Sequence, residues 1–300
     1  MSWKPSRVGV DDGQLLDTDL TYFESIAVPA VLGATVARQI FPIVTLDSIG
    51  IKEWTVHRIT GMSRASIDMD GLNKSFDKSV KVPHTVKVPE IHKETLLLHR
   101  DIAASRRNGP GLDTTEAEQL ALVVAAEEDL LLLSGHRALD KMLSIEGLLS
   151  STGRNTEASL GSWGTTPLNA YNDFSDAKEE LEADGHMGPY TALVTPAQNK
   201  VLDKFVSSTI GMSVRRAILQ ELNVSRILVS PNLYATDDNV QDSAILCEPG
   251  PLNFVLGVAQ PIQAFTFPIG RDYELHISEI ATPHVKRPTS ICELTTITLS

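Results

Sequence analysis

The sequence predicts an α+β fold, because strand-like and helix-like segments occupy separate stretches of the chain. Alternating, β-branched residues between 53 and 98 predict a long hairpin, and an apolar stripe within 112–139 predicts one long helix. Mixed helix and strand patterns follow from 166 to 260, and strand patterns return between 264 and 297. This order indicates a discontinuous domain whose last strands rejoin its earlier part.

Composition restricts the class of protein. The 300 residues are 42% hydrophobic and 21% charged, which is ordinary for a globular chain. A net charge of −12 argues against nucleic-acid binding as the main task, although a container for nucleic acid needs no cluster of Lys and Arg. Cys247 and Cys292 show no metal-ligand spacing, and the sequence leaves open whether they pair.

The chain carries no sign of membrane insertion or export. No apolar run reaches the roughly 20 residues of a membrane span. The first residues lack the apolar core of a signal peptide. We therefore expect a soluble protein that is made inside the cell.

The N-terminal region reads as an arm. Residues 1–22 are polar and acidic and predict an extended segment without its own core. Residues 21–40 are amphipathic, with a break or kink expected at Pro29 and Gly33. We expect the arm either to stay loose or to dock on a neighbouring subunit.

The hairpin between 53 and 98 needs support. A polar middle containing Asp70-Gly71 separates its two strand segments, and Pro83 and Pro89 suit an edge or a free-standing ribbon. An isolated ribbon is marginal in water, so it requires a surface in its own subunit or in the next one. This is the first indication of assembly.

The long helix carries its stripe at helical spacing and is expected to end at Gly135. The stripe includes Glu128, which lies between Glu127 and Asp129. We interpret these three residues as a solvated acidic shoulder beside the core.

After the helix, a loop-like stretch leads into the mixed block. We expect strands 242–246 and 254–258 to pair through the turn at Pro249-Gly250. The remaining strand segments of the tail are 264–267, 273–280 and 291–297.

No pattern for enzyme chemistry is present. The common phosphate-binding loops, the helical zinc motif and the nucleophile elbow are all missing from the sequence. His84, His92 and His99 share one region, but strand registers place them on both faces, so hydrogen-bonded histidines are favoured over a metal site. We predict no enzyme, no cofactor and no metal ligands.

The order of parts resembles the Hong Kong 97 (HK97-like) capsid fold of tailed-virus major capsid proteins and encapsulins. The local matches are Leu97 to Arg107, Leu112-Asp113, Glu127-Glu128-Asp129, Leu133-Ser134-Gly135 and Gly188 to Val194. The resemblance implies five parts along the chain. These are an N-terminal arm (1–40), an extended hairpin or E-loop with its flanks (41–92), a P-domain with a spine helix at 114–139 (93–154), an A-domain (155–260) and returning strands of the P-domain (261–300).

The resemblance also implies a function. Such a chain is a structural protein that self-assembles, as pentamers with or without hexamers, into an icosahedral shell around its contents. Encapsulins begin with a short amphipathic helix that lines the shell and helps to hold cargo peptides, whereas this chain is predicted to begin with an extended acidic arm. We therefore favour a viral major capsid protein, enclosing genome DNA in a virion made in the host cytoplasm.

Two alternatives remain open. One is a cytoplasmic encapsulin nanocompartment that encloses an enzyme cargo without a membrane. The other is a small-molecule enzyme that uses the 155–260 block as an α/β pocket domain. The long, polar hairpin argues against a compact enzyme.

The resemblance places the contacts between subunits on the hairpin and beside the spine. The predicted interface residues are Trp54, Arg64, Asp70, Lys74, Lys78, Arg106, Arg107 and Glu127. Arg106 and Arg107 are expected to pair with acidic groups such as Glu127 of a neighbour, which fixes geometry. Shell size and covalent cross-links between subunits stay open at this stage.

Overall fold

The computed structural model describes residues 15, 17–59, 67, 69, 81–108, 114–135, 145–205, 212–233 and 242–299. The helices are α1 (Asp17–Ala34), α2 (His99–Asn108), α3 (Thr115–Ser134), α4 (Leu168–Ala183), α5 (Pro196–Leu202) and α6 (Val214–Glu221). The strands are β1 (Ile43–Thr45), β2 (Glu53–Ile59), β3 (Lys81–Lys87), β4 (Glu90–Leu97), β5 (Asn155–Ala158), β6 (Tyr190–Val194), β7 (Val224–Val229), β8 (Ala244–Cys247), β9 (Phe254–Ile269), β10 (Asp272–Val285) and β11 (Ile291–Thr295). The predicted α+β class is confirmed.

The first sheet has the strand order β1-β9-β10-β4. The long strands β9 and β10 form its antiparallel centre, joined by a two-residue turn in which Gly270 adopts a φ of 67°. Its inner face is covered by α1 and α3. The buried side chains of this layer include Ile262, Ala264, Leu275 and Ile277 of the sheet, together with Phe23, Val31, Leu120 and Val124 of the helices.

Residues 17–34 form one continuous helix. The side chains that recur every four residues are buried, namely Phe23, Ala27 and Val31. Pro29 lies inside the helix on its exposed side, and burial of the stripe outweighs the roughly 3 kcal/mol that an interior proline costs. The prediction of an extended arm is therefore wrong for residues 17–22, and the helix is not broken at Pro29 or Gly33 as the sequence predicts. Residues 1–14 of the predicted arm lie outside the described residues.

The spine helix α3 ends where the sequence predicts a stop. Gly135 has a φ of 74°, and its N–H donates to the Leu131 carbonyl at 3.0 Å. A Cβ at position 135 would lie 2.4 Å from the Ile145 carbonyl oxygen, so only glycine lets the returning chain pass. The helix ends at Ser134, short of the boundary at 139 that the resemblance implies.

The second sheet has the strand order β5-β11-β8-β6-β7, and α4, α5 and α6 accompany it. The sequence interpretation differs from it in two respects. Strand β8 pairs with β11 and β6 and not with β9, and β11 lies in this sheet instead of beside β9 and β10. The reason is that every residue of β8 is buried, which requires a partner on both edges and cover on both faces.

Cys247 and Cys292 are both free thiols. Cys247 packs with Leu193 and Ile245, whereas Cys292 packs with Ala192 on the other face of the second sheet. Burial, as the main cause, raises the pKa of each thiol to about 12. The two cysteines therefore do not form a disulfide.

Within the described ranges, no helix has the length and apolarity that crossing a membrane requires.

Candidate functional site

Strands β2 and β3 form a two-stranded ribbon that is exposed over most of its length. The register runs from Glu53 opposite Lys87 to Ile59 opposite Lys81. Strand β3 becomes buried only near its end at Val86. Beyond the other end, Ile67 and Met69 are fully exposed. This ribbon corresponds to the predicted hairpin only up to Lys87; the prediction is wrong for residues 90–97, which form β4 and pair with β10 because the first sheet offers them a packed edge. Within the described part of the chain, Ile67 and Met69 find no cover.

The base of the ribbon rests on the first sheet through Trp54. Its ring lies against Gly257, where an added Cβ would come within 2.8 Å of Trp54 Cζ3. The same ring meets His284 edge-on with ring centroids 5.6 Å apart, and His84 of β3 stacks on His284 at 5.2 Å. Thr282 donates from Oγ1 to the Lys87 carbonyl at 2.8 Å. These contacts fix the direction in which the ribbon leaves the subunit.

His284 stays uncharged at this base. Burial, followed by the positive charges of His84, Arg58 and Lys286, lowers the pKa of His284 to about 3. Arg58 instead satisfies its charge through Glu146, with Nη2 2.9 Å from Oε2, and through the Val285 carbonyl at 3.1 Å. The ribbon is thus held on its own subunit by ring packing, by hydrogen bonds and by the ion pair of Arg58 with Glu146.

A second feature is a buried junction of charges that we call the spine junction, formed by Arg38, Glu128, Asp129 and Glu279. Arg38 donates from Nε to Glu128 at 2.6 Å and from Nη2 to Glu279. Asp129 accepts hydrogen bonds from the backbone N–H groups of Val36 and Ala37 at 2.9–3.0 Å. The spine junction therefore fastens the segment after α1 to both α3 and β10.

The spine junction contains three buried carboxyl groups, and two of them, those of Glu128 and Glu279, share the one guanidinium of Arg38. The Glu128 and Glu279 side chains are fully buried. Burial, reinforced by the charge of Glu279 and opposed by Arg38, raises the pKa of Glu128 to about 8. Burial likewise raises the pKa of Glu279. Because one cation neutralises one carboxylate, the pair keeps a proton near neutral pH.

Helices α1 and α3 also present apolar side chains to solvent. Tyr22 and Leu32 of α1 and Leu122 and Val123 of α3 are each 45–50% exposed. Both helices therefore carry apolar surface away from the core that they share. Such surface suits contact with another chain.

The predicted interface residues that the structure describes lie in three different elements of the subunit. Trp54 lies in the base of the ribbon, Arg106 forms an ion pair with Asp19 of α1, and Glu127 is exposed on α3. Arg107 belongs to α2, but its side chain lies outside the described part of the chain. The predicted residues Arg64, Asp70, Lys74 and Lys78 lie wholly outside it. The roles of all eight predicted residues between subunits stay predictions.

Sequence reasoning missed Arg38 and Glu279. The signal that was available is the position of Glu128 in the apolar stripe of α3, which is the register of a buried residue. The interpretation of Glu128 and Asp129 as a solvated shoulder is wrong, since both are buried, whereas Glu127 is solvated.

Comparison with known proteins places these features in a family context. The sequence profile of a family described as an encapsulating protein for peroxidase matches residues 23–282. A type 1 encapsulin shell protein of Myxococcus xanthus is 25% identical over 291 residues, which cover 97% of this chain and 96% of that protein. A diheme-cytochrome-encapsulin shell fusion protein of Kuenenia stuttgartiensis is 26% identical over 252 residues, or 84% of this chain and 62% of that protein.

Solved structures show the same fold. The virus-like particle from Pyrococcus furiosus matches with a TM-score of 0.67 at 18% identity, over 93% of this chain and 100% of that one. The capsid of Myoviridae phage XM1 matches with a TM-score of 0.63 at 15% identity, over 85% of this chain and 90% of that one. These matches confirm the capsid fold that the order of parts predicts.

Proposed function

The chain belongs to the encapsulin family of shell proteins, and we propose that its copies close into a nanocompartment that encloses a protein cargo instead of a viral genome. Members of this family are structural proteins and not enzymes. The function of the chain therefore lies in the contacts that identical copies make with each other while forming a closed particle. Closed symmetry repeats each contact many times, so individually weak contacts suffice.

Helix α1 is the observation that carries the choice of a protein cargo. The viral interpretation rests on an extended start, but residues 17–34 form a helix that packs along the spine helix α3. A helix near the start of the chain is the encapsulin pattern, in which it lines the interior and helps to hold cargo peptides. The Myxococcus xanthus relative supports the same choice.

The exposed apolar side chains of α1 and α3 offer a surface for such a cargo. Leu32 and Leu122 belong to the two helices that enclose one core layer, and each is about half exposed. We infer that a short apolar segment of the cargo protein lies on one or both helices, since apolar surface left on a helix pair is covered well by a further peptide.

Assembly would use the ribbon of β2 and β3. Its base is fixed by Trp54, while Ile67 and Met69 near its tip have no cover within the described residues of their own subunit. Laying the ribbon across a neighbouring copy would bury these side chains and convert a marginal two-stranded element into interface.

The contents of the particles test this proposal. Particles purified from the source cells and treated with nuclease should contain one abundant partner protein by mass spectrometry and little protected nucleic acid. The double variant Leu32→Asp with Leu122→Asp should form closed particles that retain less of this partner. The control Leu160→Asp with Leu252→Asp adds the same charges at exposed leucines outside the helix pair and should retain it. Particles filled with protected DNA would instead support a viral capsid.

A further inference from the structure

We propose that the outer face of the first sheet binds a divalent metal ion of the zinc class between strands β4 and β10. We call this place the edge metal site, and its ligands are Glu94, Glu274 and His276. Each offers one nitrogen or oxygen atom, and these atoms all lie within 4.8 Å of one another.

The sheet brings the three ligands to one face. His276 lies directly opposite Glu94 in the antiparallel pairing of β10 with β4, so their side chains share a face. Glu274 lies two residues before His276 and points the same way. Leu275 and Ile277 alternate with them and are buried in the core below α1 and α3. The ligands therefore stand on backbone that is fixed by a packed core.

The distances suit a small metal ion. Tetrahedral zinc with bonds of roughly 2.0–2.2 Å holds its ligand atoms about 3.4 Å apart. His276 Nδ1 and Glu94 Oε1 are already 3.3 Å apart. The Glu274 carboxylate has to move closer to these two atoms, and rotation about the bonds of its side chain allows that movement.

Further polar groups surround the ligands. Glu90 Oε1 lies 3.7 Å from Nε2 of His276, where it can orient the ring through the nitrogen that does not bind the metal. The His92 ring stacks on His276 with centroids 5.4 Å apart, and its Nε2 lies 3.6 Å from Glu94 Oε1. His92 can thus either orient the Glu94 carboxylate or serve as a further ligand of the metal ion.

The charge balance favours a bound cation. Glu90 and Glu94 have only imidazoles as ion-pair partners among the described residues, and Glu274 forms no ion pair there. The Phe265 and Phe267 rings lie with their centroids 6.3 and 6.4 Å from that of His276 and form an apolar wall on one side of the site. Three carboxylates beside an apolar wall are stabilised by a divalent cation.

The donor set selects the class of metal. An imidazole nitrogen with carboxylate oxygens suits zinc, whereas magnesium and calcium prefer oxygen ligands throughout. Because β4 is an edge strand of the first sheet, a metal ion bound here would link it to β10. Strand β4 also follows the ribbon directly, so the link would stiffen the sheet beside the base of the ribbon.

Zinc binding to assembled particles tests this proposal. Isothermal titration and elemental analysis of metal-stripped, tag-free particles should give about one tightly bound zinc per subunit, and zinc should raise the melting temperature. The double variant Glu274→Gln with His276→Gln should lose both effects. Glu94→Gln removes a ligand whose side chain is about half exposed, so the fold should persist and zinc affinity should fall by at least tenfold.

The matched control removes the same chemistry elsewhere. His57→Gln with Glu116→Gln replaces an exposed imidazole and an exposed carboxylate outside the cluster, and it should bind zinc as the wild type does. Wild-type particles that bind no more zinc than the Glu94→Gln particles would overturn the proposal. An equal loss in the control would overturn it as well.

Discussion

At the scale of single residues, the spine junction shows why neighbours in the sequence have different roles. Glu127 faces solvent, whereas the adjacent Glu128 is fully buried and shares Arg38 with Glu279. The helical stripe predicts the register of Glu128. Its partners come from distant segments of the chain, so no local pattern identifies them.

The raised pKa of Glu128 predicts a dependence of stability on pH. Because its folded-state pKa is about 8 and its ordinary value is 4.5, its contribution to stability is complete below pH 4.5 and is lost as the pH rises through about 8. We expect the melting temperature of the wild type to fall relative to that of Glu128→Gln between about pH 6 and about pH 9. Differential scanning fluorimetry over this range measures the difference. Glu127→Gln serves as the control, and its difference from the wild type should stay constant. Parallel curves for Glu128→Gln and the wild type would contradict the assignment.

Gly257 predicts a second effect at the residue scale. A methyl group there would press against the rigid Trp54 ring at 2.8 Å, so Gly257→Ala should lower the free energy of unfolding by about 1–3 kcal/mol. Urea unfolding followed by tryptophan fluorescence measures this change. Gly33→Ala is the matched control, because a Cβ there meets nothing within 4 Å and alanine favours the helix by up to about 1 kcal/mol. Equal effects of the two substitutions would show that the base of the ribbon is not packed as described.

At the scale of elements, local patterns predict the spine helix and the ribbon. The helix is encoded by its apolar spacing and by the stop at Gly135, and the ribbon is encoded by the alternation of its residues. Helix α1 could not be predicted in this way, because packing on α3 is what allows a helix to contain Pro29. The position of β11 depends on which distant edge accepts it, and alternation alone does not name a partner. The same limit hides the edge metal site, whose ligands come from two distant strands.

Removing the outer part of the ribbon tests its role in assembly. Deleting residues 62–78 leaves Thr60, Gly61, Ser79 and Val80 to join Ile59 to Lys81, and a loop of four residues suits a hairpin. We expect folded subunits or small oligomers and no closed particles, as measured by size-exclusion chromatography and circular dichroism. Replacing only Ile67 and Met69 by serine should weaken assembly in the same direction. Particles of normal size from the deletion would exclude the ribbon as an assembly element.

At the scale of the whole molecule, the features form one arrangement. The spine junction locks the segment after α1 onto α3 and β10, and the base of the ribbon sets the direction of an exposed strand pair. The second sheet has its own core. A chain built in this way presents large surfaces that it does not cover itself. Those surfaces are what a shell subunit supplies to its neighbours and its contents.

Cryo-electron microscopy of the purified particles tests this account most directly. It predicts a closed, hollow shell in which the ribbon lies across a neighbouring subunit and α1 faces the interior beside the density of a protein cargo. A homogeneous small oligomer, or a shell with α1 on its outer surface, would contradict it.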